Sequence, residues 1–413
     1  MRRRKAATPT LLRLLLLLHV FCDVSKGLVL PSSASWGRMP SRRLNHSLRP
    51  AHIRCALPPI DAQAEVGQIL REAQLEEDVA EITEMSAGFC NWVYRVDLVT
   101  SGPIVVKLFS PLAKLRLQPD LRGVGDETAS DEGLGPRLLH RSADGLVTQY
   151  IVGDTLTEAD MHADGSNLPA TIAPKLAAFH GPPQQLKEDE PPILWCFLDA
   201  MVEHIAKAEE ALPEGITLRQ IKGEVARMRA RCDALALPIV RGHGDLKPSN
   251  VMMVRAAEEA VGADEAISFI DFELSGRHYR GYDLFKLFRT AAKPSTRNMR
   301  AFFQHYLAAA DADADIGAAA AATSPSATAL ALELDVLQAE AFAAEPLTWL
   351  EAAVFFLFAI CVYPEHSSDW VHLAHDRWSR YLASAEAVEH GGEAARALLD
   401  ARAKLCAAQS AHA

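Results

Sequence analysis

The stretch His243-Gly-Asp-Leu-Lys-Pro-Ser-Asn-Val251 carries the most specific pattern in this chain of 413 residues. It places the carboxylate of Asp245 five positions before the side-chain amide of Asn250, directly after a His-Gly turn. Further along, a short apolar run at residues 267–270 ends in a second carboxylate, Asp271. Such a run is typical of a buried strand. The pattern therefore predicts a polar loop and a strand end that share one site.

These residue types at this spacing indicate phosphoryl transfer from ATP, in which the protein mainly positions groups and neutralises charge. Asp245 fits the acceptor of the substrate hydroxyl proton, and Asp271 fits the main ligand of Mg²⁺. Asn250 would bind the metal without adding a negative charge, since Mg²⁺ takes few carboxylates besides phosphate oxygens. His243 is expected to pin the loop backbone. The alternative is a chance His-x-Asp with Asp271 capping a turn, and the combination of motifs argues against it.

Upstream residues supply candidates for an ATP site. Residues 84–94 indicate a strand, a tight turn and a second strand, in which Gly88 allows close approach of the backbone to phosphate. Ser86 and Asn91 are hydrogen-bonding side chains beside it. An ordinary hairpin is the alternative interpretation. Lys107 stands among apolar residues in a third strand, where it would hold phosphates; alternatively it points outward from an edge strand.

A hinge between two predicted lobes follows these strands. Residues 146–156 indicate a strand, a connector and the start of a helix. Backbone groups from Gln149 to Val152, including those of Ile151, are expected to meet adenine, and Gly153 bends the chain. The nucleotide site is thus predicted to combine Ser86, Gly88, Asn91, Lys107, Gln149 and Ile151, with ATP and Mg²⁺ as cofactors.

Taken together, the motifs resemble the choline/ethanolamine kinase family, within the wider group of aminoglycoside-phosphotransferase-like kinases. The resemblance runs from about residue 62 to residue 384, and two C-terminal stretches point to the choline/ethanolamine branch. The segments that carry it are Asn91, Lys107, Gly135-Pro136, residues 149–153, His243-Gly-Asp, Ile270-Asp-Phe-Glu273, residues 281–288 and residues 369–381.

The resemblance implies an α+β, two-lobed protein-kinase-like fold. A small N-lobe with an antiparallel sheet would occupy residues 55–151, and a larger, mainly helical C-lobe residues 152–413. The implied activity is ATP-dependent phosphorylation of the hydroxyl of ethanolamine or choline, the first step of phospholipid head-group synthesis. The alternatives are a related kinase for another small hydroxyl compound, such as a sugar or an aminoglycoside, and a non-catalytic pseudokinase.

At the substrate end, the resemblance implies that Glu273 lies near a cationic amine, and that Trp370 and Arg377 line or brace the substrate pocket. Asp283 is similar to the family aspartate that braces the catalytic loop. The helix at residues 349–363 carries phenylalanines where the family has tryptophans that attract a quaternary ammonium. This departure favours a smaller amine over choline.

The partner of Lys107 is left open by the sequence. The segment equivalent to the small-lobe helix, residues 120–132, is short and carries several acids. Glu127 is one candidate, and Asp126 and Asp131 are the alternatives.

Composition limits the other partners. The formal net charge is −11 without a Lys/Arg-rich cluster in the folded part, which disfavours nucleic acid as a partner. Seven scattered cysteines without C-x-x-C spacing indicate free thiols and exclude a zinc site of that type. Residues 347–363 are nearly all apolar but contain Glu351, which favours a buried core helix over a stable membrane span. The oligomeric state is left open, a homodimer included.

The N-terminal leader has two parts. Residues 1–27 combine a basic start with a short apolar run, which predicts a signal peptide. Residues 28–54 contain five arginines and no acid, which predicts a transit peptide. A signal followed by a transit peptide indicates a plastid within extra membranes, with the mitochondrion and the cytoplasm as alternatives.

Overall fold

Strands dominate the first part of the folded chain and helices the second. The computed structural model describes residues 61–87, 90–163, 166–181, 190–255, 266–289, 296–315, 327–387 and 392–410. The predicted signal and transit peptides and Gly88 lie outside these residues. All the described residues belong to one compact unit.

The order of the elements explains how two lobes arise. The strands are β1 (Val79–Ala87), β2 (Asn91–Leu98), β3 (Gly102–Phe109), β4 (Leu138–Arg141), β5 (Gly145–Gln149), β6 (Gly153–Thr155), β7 (Ile239–Gly242), β8 (Val251–Val254), β9 (Ala266–Phe269) and β10 (Gly276–Tyr279). The helices are α1 (Ala62–Glu72), α2 (Pro111–Arg116), α3 (Val124–Asp131), α4 (Glu158–His162), α5 (Leu168–His180), α6 (Ile193–Ile205), α7 (Leu218–Ala234), α8 (Arg280–Phe288), α9 (Thr296–Asp315), α10 (Ala327–Val362), α11 (Ser367–Ala387) and α12 (Glu393–Ser410).

The N-lobe is one antiparallel sheet with the strand order β1-β2-β3-β5-β4. Alternate residues of its central strands are buried, because successive side chains of a strand point to opposite faces. Val96, Val106 and Val147 form this core, and Ile69 and Leu70 of α1 pack against it. The three strands predicted around residues 84–94 and Lys107 are confirmed.

The C-lobe is built around α10, a helix of 36 residues that contacts α6, α8, α11 and α12. In the described part of the chain, its residues 328–362 form a helix long and apolar enough to cross a bilayer by composition. However, 89% of its most apolar window is buried inside the protein. The interpretation of this segment as a core helix therefore agrees with its position.

Two small sheets of the C-lobe flank the polar loop. β7 pairs with β10, and β8 pairs with both β6 and β9, all antiparallel. The loop starts after β7 and ends at β8, while Asp271 lies two residues after the end of β9. The pairing of β8 with β9 brings Val251 opposite Phe269, so the loop and the strand end meet as predicted.

Candidate functional site

Helix α8 fixes the backbone of the polar loop that starts at His243. Asp283 is fully buried and accepts hydrogen bonds from the backbone N–H groups of His243, at 2.5 Å, and Gly244, at 3.0 Å. Burial opposes ionisation of Asp283, but a hydrogen bond from His180 and the nearby imidazoles outweigh it and lower its pKa to about 2. The bracing role expected of Asp283 agrees with these contacts.

His243 and Gly244 shape the turn itself. The Nδ1 atom of His243 accepts from the N–H of Asp245 at 3.3 Å, so its Nε2 donates to the carbonyl of Ile270 at 3.0 Å. Gly244 has a left-handed φ of 78°, and a Cβ there would lie 2.3 Å from the carbonyl oxygen of Leu274. His243 thus links the loop to the residue that precedes Asp271.

Both oxygens of Asp245 have cationic partners. Lys247 Nζ lies 2.7 Å from Oδ2, and Lys286 Nζ lies 2.9 Å from Oδ1. Asn250 Nδ2 donates to the backbone carbonyl of Asp245 at 2.9 Å and to Oδ2 at 3.2 Å. Burial would raise the pKa of Asp245, but the two lysines outweigh it and hold this pKa well below its ordinary value. Asp245 is therefore an ionised, oriented carboxylate.

Asp271 has an unusual backbone conformation. Its φ is 68°, which a non-glycine residue adopts only where the surroundings enforce it. Its Oδ1 lies 2.6 Å from Lys107 Nζ, although the two residues are 164 positions apart. Burial would lower the pKa of Lys107, but Asp271 and the neighbouring acids outweigh it and raise that pKa. Lys107 thus points into the site, and the alternative of an outward-pointing edge lysine is wrong.

The acid of α3 that faces Lys107 is Asp126. Its residue surface is 7% exposed, and burial raises its pKa to about 6 against the opposing effect of Lys107. Its Oδ2 has no hydrogen-bond partner among the described residues. Glu127, the first candidate from the sequence, points away and pairs with Arg141 at 3.3 Å. Asp131, the other candidate, is exposed. The helix begins at Val124, and this start places Asp126 on its inner side.

Glu273 is already paired within the protein. Arg116 Nη2 donates to its Oε1 at 2.8 Å, and Asn91 Nδ2 donates to its other oxygen. The side chains of Arg116 and Glu273 are 3% and 9% exposed. The expected meeting of Glu273 with a substrate amine therefore requires competition with an internal guanidinium.

Two aromatic rings of α10, those of Phe355 and Trp349, also lie next to internal cations. The guanidinium of Arg116 lies 5.2 Å from the ring centroid of Phe355. Around Trp349, the guanidinium carbons of Arg289, Arg377 and Arg380 lie at 4.7, 5.5 and 5.1 Å. Such cation–π contacts stabilise the folded protein by about 0.5–2 kcal/mol each, depending on desolvation. A substrate cation would have to displace them.

Two predicted substrate-binding residues lie where α10 meets α11. Trp370 is completely buried and packs edge-on against Tyr363, with 6.3 Å between ring centroids. Arg377 lies over Trp349 and forms an ion pair with Asp376. These contacts join α10 to α11, and the expected bracing of a substrate pocket stays a prediction. A direct contact of either residue with substrate stays a prediction.

Three of the predicted nucleotide-binding residues, Asn91, Gln149 and Ile151, lie where the N-lobe sheet meets the C-lobe. Asn91 begins β2 and also accepts from the N–H of Ser110 at 3.3 Å. Gln149 ends β5, and Ile151 lies in the connection to β6. Ser86 lies in β1, but its side chain, like all of Gly88, is outside the described part. The contacts of these residues with a nucleotide stay predictions.

Sequence reasoning did not assign three charged residues at the site: Arg116, Lys286 and Glu351. Lys286 connects Asp245 to Glu351, with 3.3 Å between Nζ and Oε2 of Glu351. Two signals pointed to this pair. Glu351 interrupts a nearly continuous apolar helix, and Lys286 follows Asp283 at a spacing of three, on the same helix face. For Arg116 the sequence contains no comparable signal.

Comparisons with known proteins agree with the motifs. Residues 82–381 match the sequence model of the family described as choline/ethanolamine kinase. A choline/ethanolamine kinase of Homo sapiens is 24% identical over 276 residues, which cover 59% of this chain and 67% of the relative. A probable ethanolamine kinase of Arabidopsis thaliana is 24% identical over 252 residues, covering 57% and 64%. The matched regions thus span about two thirds of these relatives.

A solved structure shows the same fold. Plasmodium vivax ethanolamine kinase superposes with a TM-score of 0.56 and 17% identity, covering 78% of this chain and 88% of that one. The protein-kinase-like fold predicted from the sequence is therefore confirmed. Because the family match extends over well more than half of the residues, this chain belongs to the choline/ethanolamine kinase family, whose members are phosphotransferases with an alcohol group as acceptor.

Proposed function

We propose that this protein transfers the γ-phosphoryl group of ATP to the hydroxyl of a small amino alcohol, in the first step of phospholipid head-group synthesis. The observation that carries the proposal is the convergence of Asp245, Asn250, Asp271 and Lys107 from three separate segments. These are the groups that phosphoryl transfer requires: a proton acceptor, oxygen ligands for a metal and a phosphate-binding cation.

In this proposal Asp245 accepts the proton of the acceptor hydroxyl through Oδ2. The hydroxyl oxygen forms a bond to the γ-phosphorus while the bond from phosphorus to the bridging oxygen of ADP breaks. Lys247, whose side chain is 43% exposed, leaves Oδ2 to meet the phosphate. Lys107 likewise leaves Asp271 for the phosphates, and buried Asp126 stays beside it as a counter-charge.

The residues fit Mg²⁺. Asp271 offers a carboxylate at an enforced backbone conformation. The amide nitrogen of Asn250 is used by Asp245, which leaves its side-chain oxygen for a cation. One carboxylate, one neutral oxygen and phosphate oxygens form the kind of ligand set that Mg²⁺ takes. When bound, the ion would neutralise negative charge on the phosphates.

Within this substrate class, we propose ethanolamine in preference to choline. Glu273 and the rings of Phe355 and Trp349 are matched by internal guanidinium groups. A quaternary ammonium has no N–H and depends on such carboxylates and ring faces. A primary ammonium can instead donate up to three hydrogen bonds and share an acceptor that is already in use.

The test is turnover of ATP by the purified protein with ethanolamine, choline, small amino alcohols and sugars, with the phosphorylated product identified by mass spectrometry. We expect magnesium-dependent phosphorylation of ethanolamine at a higher kcat/KM than choline. Phosphorylation of a sugar alone would reject the amino-alcohol proposal, and nucleotide binding without any product would favour a pseudokinase. Neither alternative is favoured, because the catalytic residues are intact and the curated relatives are named as choline/ethanolamine kinases.

For localisation we propose a plastid, reached through the two-part leader at residues 1–54. The support is the sequence of a basic start, a short apolar run and an acid-free, arginine-containing segment. Residues 1–54 fused to a fluorescent protein should direct it to plastids in an alga whose plastids have extra membranes. Mitochondrial or cytoplasmic fluorescence would reject the proposal.

A further inference from the structure

Helix α8 meets the catalytic loop with two buried charges of opposite sign. Asp283 accepts two backbone N–H groups of the loop. Three residues later, Lys286 Nζ donates to the carbonyl of Gly244 at 3.2 Å and lies 2.9 Å from Asp245 Oδ1. Residues three apart lie on the same face of a helix, so both contacts arise from one rigid surface. Asp283 fixes the backbone of the loop, whereas Lys286 reaches the reacting side chain itself.

Lys286 is in turn held in place. Its side chain is 2% exposed, and Nζ donates to the hydroxyl of Tyr282 at 3.0 Å and to Glu351 Oε2 at 3.3 Å. The hydroxyl of Tyr282 lies 3.3 Å from the same oxygen of Glu351. Desolvating two charges is costly, and a buried ion pair often contributes little net stability. A stabilising role alone therefore gives a weak account of a lysine between two buried carboxylates.

The two lysines on Asp245 differ in freedom. Lys247 contacts Oδ2 with a side chain that is 43% exposed, so it can move to a phosphate. Lys286 contacts Oδ1 and is enclosed by Tyr282, Glu351 and the loop carbonyl. The cation on Oδ1 is thus enclosed, whereas the cation on Oδ2 can leave and Asn250 remains as a donor to that oxygen.

We propose that Lys286 is a positioning residue for phosphoryl transfer. It holds Asp245 through Oδ1 so that Oδ2 faces the acceptor hydroxyl, and Glu351 and Tyr282 hold Lys286 in turn. The inference rests on the proposed function. Lys286 neither gives nor takes the proton, which passes from the acceptor hydroxyl to Asp245 Oδ2.

The test uses two double variants that remove one buried ion pair each between α8 and α10. Lys286→Met/Glu351→Gln removes the pair that touches Asp245. Arg280→Met/Glu340→Gln is the matched control, since Arg280 Nη2 lies 2.7 Å from Oε2 of fully buried Glu340 and Arg280 Nε donates to Oε1 of the same residue. Neutralising both partners avoids an unpaired buried charge in either variant.

For Lys286→Met/Glu351→Gln we expect kcat to fall about 100-fold, because a misplacement of 1 Å at a reacting group has an effect of this size. The KM for MgATP should change by less than about threefold, since the interaction acts in the transition state. The control variant should keep the wild-type kcat while its Tm falls. A kcat of the Lys286 variant within about threefold of the control would overturn the proposal.

A crystal structure of the same Lys286 variant keeps the test independent of the acceptor. We expect the carboxylate of Asp245 to leave its wild-type orientation, and an unchanged orientation would overturn the inference. Wild-type turnover with ethanolamine is measured in parallel. Its absence would reject the proposed function, whereas normal turnover in both wild type and variant would reject only the role of Lys286.

Discussion

The site has two ends that differ in how their charged groups are paired and exposed. The phosphoryl end contains Asp245 and Asp271, and the proposed acceptor end contains Arg116 and Glu273. At the phosphoryl end, Lys247 and Lys107 neutralise Asp245 and Asp271, which are still 18% and 31% exposed. At the acceptor end, Arg116 and Glu273 neutralise each other with side chains that are at most 9% exposed. The ion pairs of the first end can open when ligands arrive, whereas those of the second end are part of the core.

This difference shows what each end demands of a ligand. A nucleotide with its metal ion can replace Lys247 and Lys107 by offering charges that match both partners. A small amino alcohol has one charge at most, so it cannot open the buried pair between Arg116 and Glu273. Under the proposed function, we therefore expect the acceptor pocket to select by size and hydrogen bonding more than by charge.

The largest effect is expected at the phosphoryl end. Asp245→Ala removes the proton acceptor and should lower kcat by about 10²–10⁴-fold, the usual contribution of a general base. Nucleotide affinity should change little, because Lys107 and Asp271 remain. Steady-state kinetics and titration with a fluorescent nucleotide measure both quantities. Retained turnover would remove the role assigned to Asp245.

At the proposed acceptor end, Glu273→Ala should lower the unfolding free energy more than it weakens substrate binding. It leaves the buried guanidinium of Arg116 without a counter-charge, which destabilises by about 3 kcal/mol. Urea unfolding followed by tryptophan fluorescence measures this change. The double variant Arg116→Met/Glu273→Leu removes both charges and serves as the control, with most of the stability restored.

A loss of substrate binding without a loss of stability would contradict this account of the acceptor end. If Glu273 binds the substrate amine, Glu273→Ala would leave the unfolding free energy near that of the wild type. The KM for ethanolamine would then rise at least about tenfold, which corresponds to 1.4 kcal/mol of lost binding.

Sequence reasoning reached the phosphoryl end more completely than the acceptor end. Asp245, Asn250 and Asp271 lie in short motifs whose spacing is set by one loop and one strand. The strands of the N-lobe sheet could also be predicted from the sequence, because their buried residues form strong apolar patterns. Lys286 and Glu351 are 65 positions apart, and only the packing of α8 against α10 brings them together.

The partner of Lys107 illustrates the same limit at short range. Asp126 and Glu127 are neighbours, and the start of α3 decides which one faces inward. That start follows Gly123, whose left-handed φ is 73°. A shift of one residue turns a helix face by about 100°, and no local pattern in residues 120–132 fixes the helix start.

Between the two ends, Asp283 gives a prediction about pH. Its folded pKa of about 2 lies below the ordinary value of 3.8, so the folded state binds fewer protons between these values. The stabilisation is complete above about pH 4 and is lost as the pH falls through 2, with a size of about 2 kcal/mol.

The check compares the wild type with Asp283→Asn in urea unfolding from pH 5 down to pH 2. The wild type should be more stable at pH 5, and the difference should shrink as the pH falls. A difference that stays constant over this range would show that the carboxylate charge is not responsible.

The smallest effect is expected at Glu127. Its pair with Arg141 is exposed, so Glu127→Gln should change the unfolding free energy by less than about 0.5 kcal/mol and leave the KM for MgATP unchanged. Asp126→Asn, one position away, removes a buried negative charge that acts on Lys107 and should raise that KM roughly tenfold, which corresponds to about 1.4 kcal/mol. Equal KM values for the two variants would contradict the assignment of Asp126.

The buried acids of α10 also bear on how the chain is made. While the nascent chain is still unfolded, residues 328–362 are apolar enough to enter a bilayer. Each charged side chain near the middle of such a segment opposes insertion by on the order of 3 kcal/mol. Glu340 and Glu351 meet Arg280 and Lys286 only after α8 has docked. The same two carboxylates therefore oppose insertion of the unfolded segment into a bilayer, and each is neutralised by an ion pair in the folded protein.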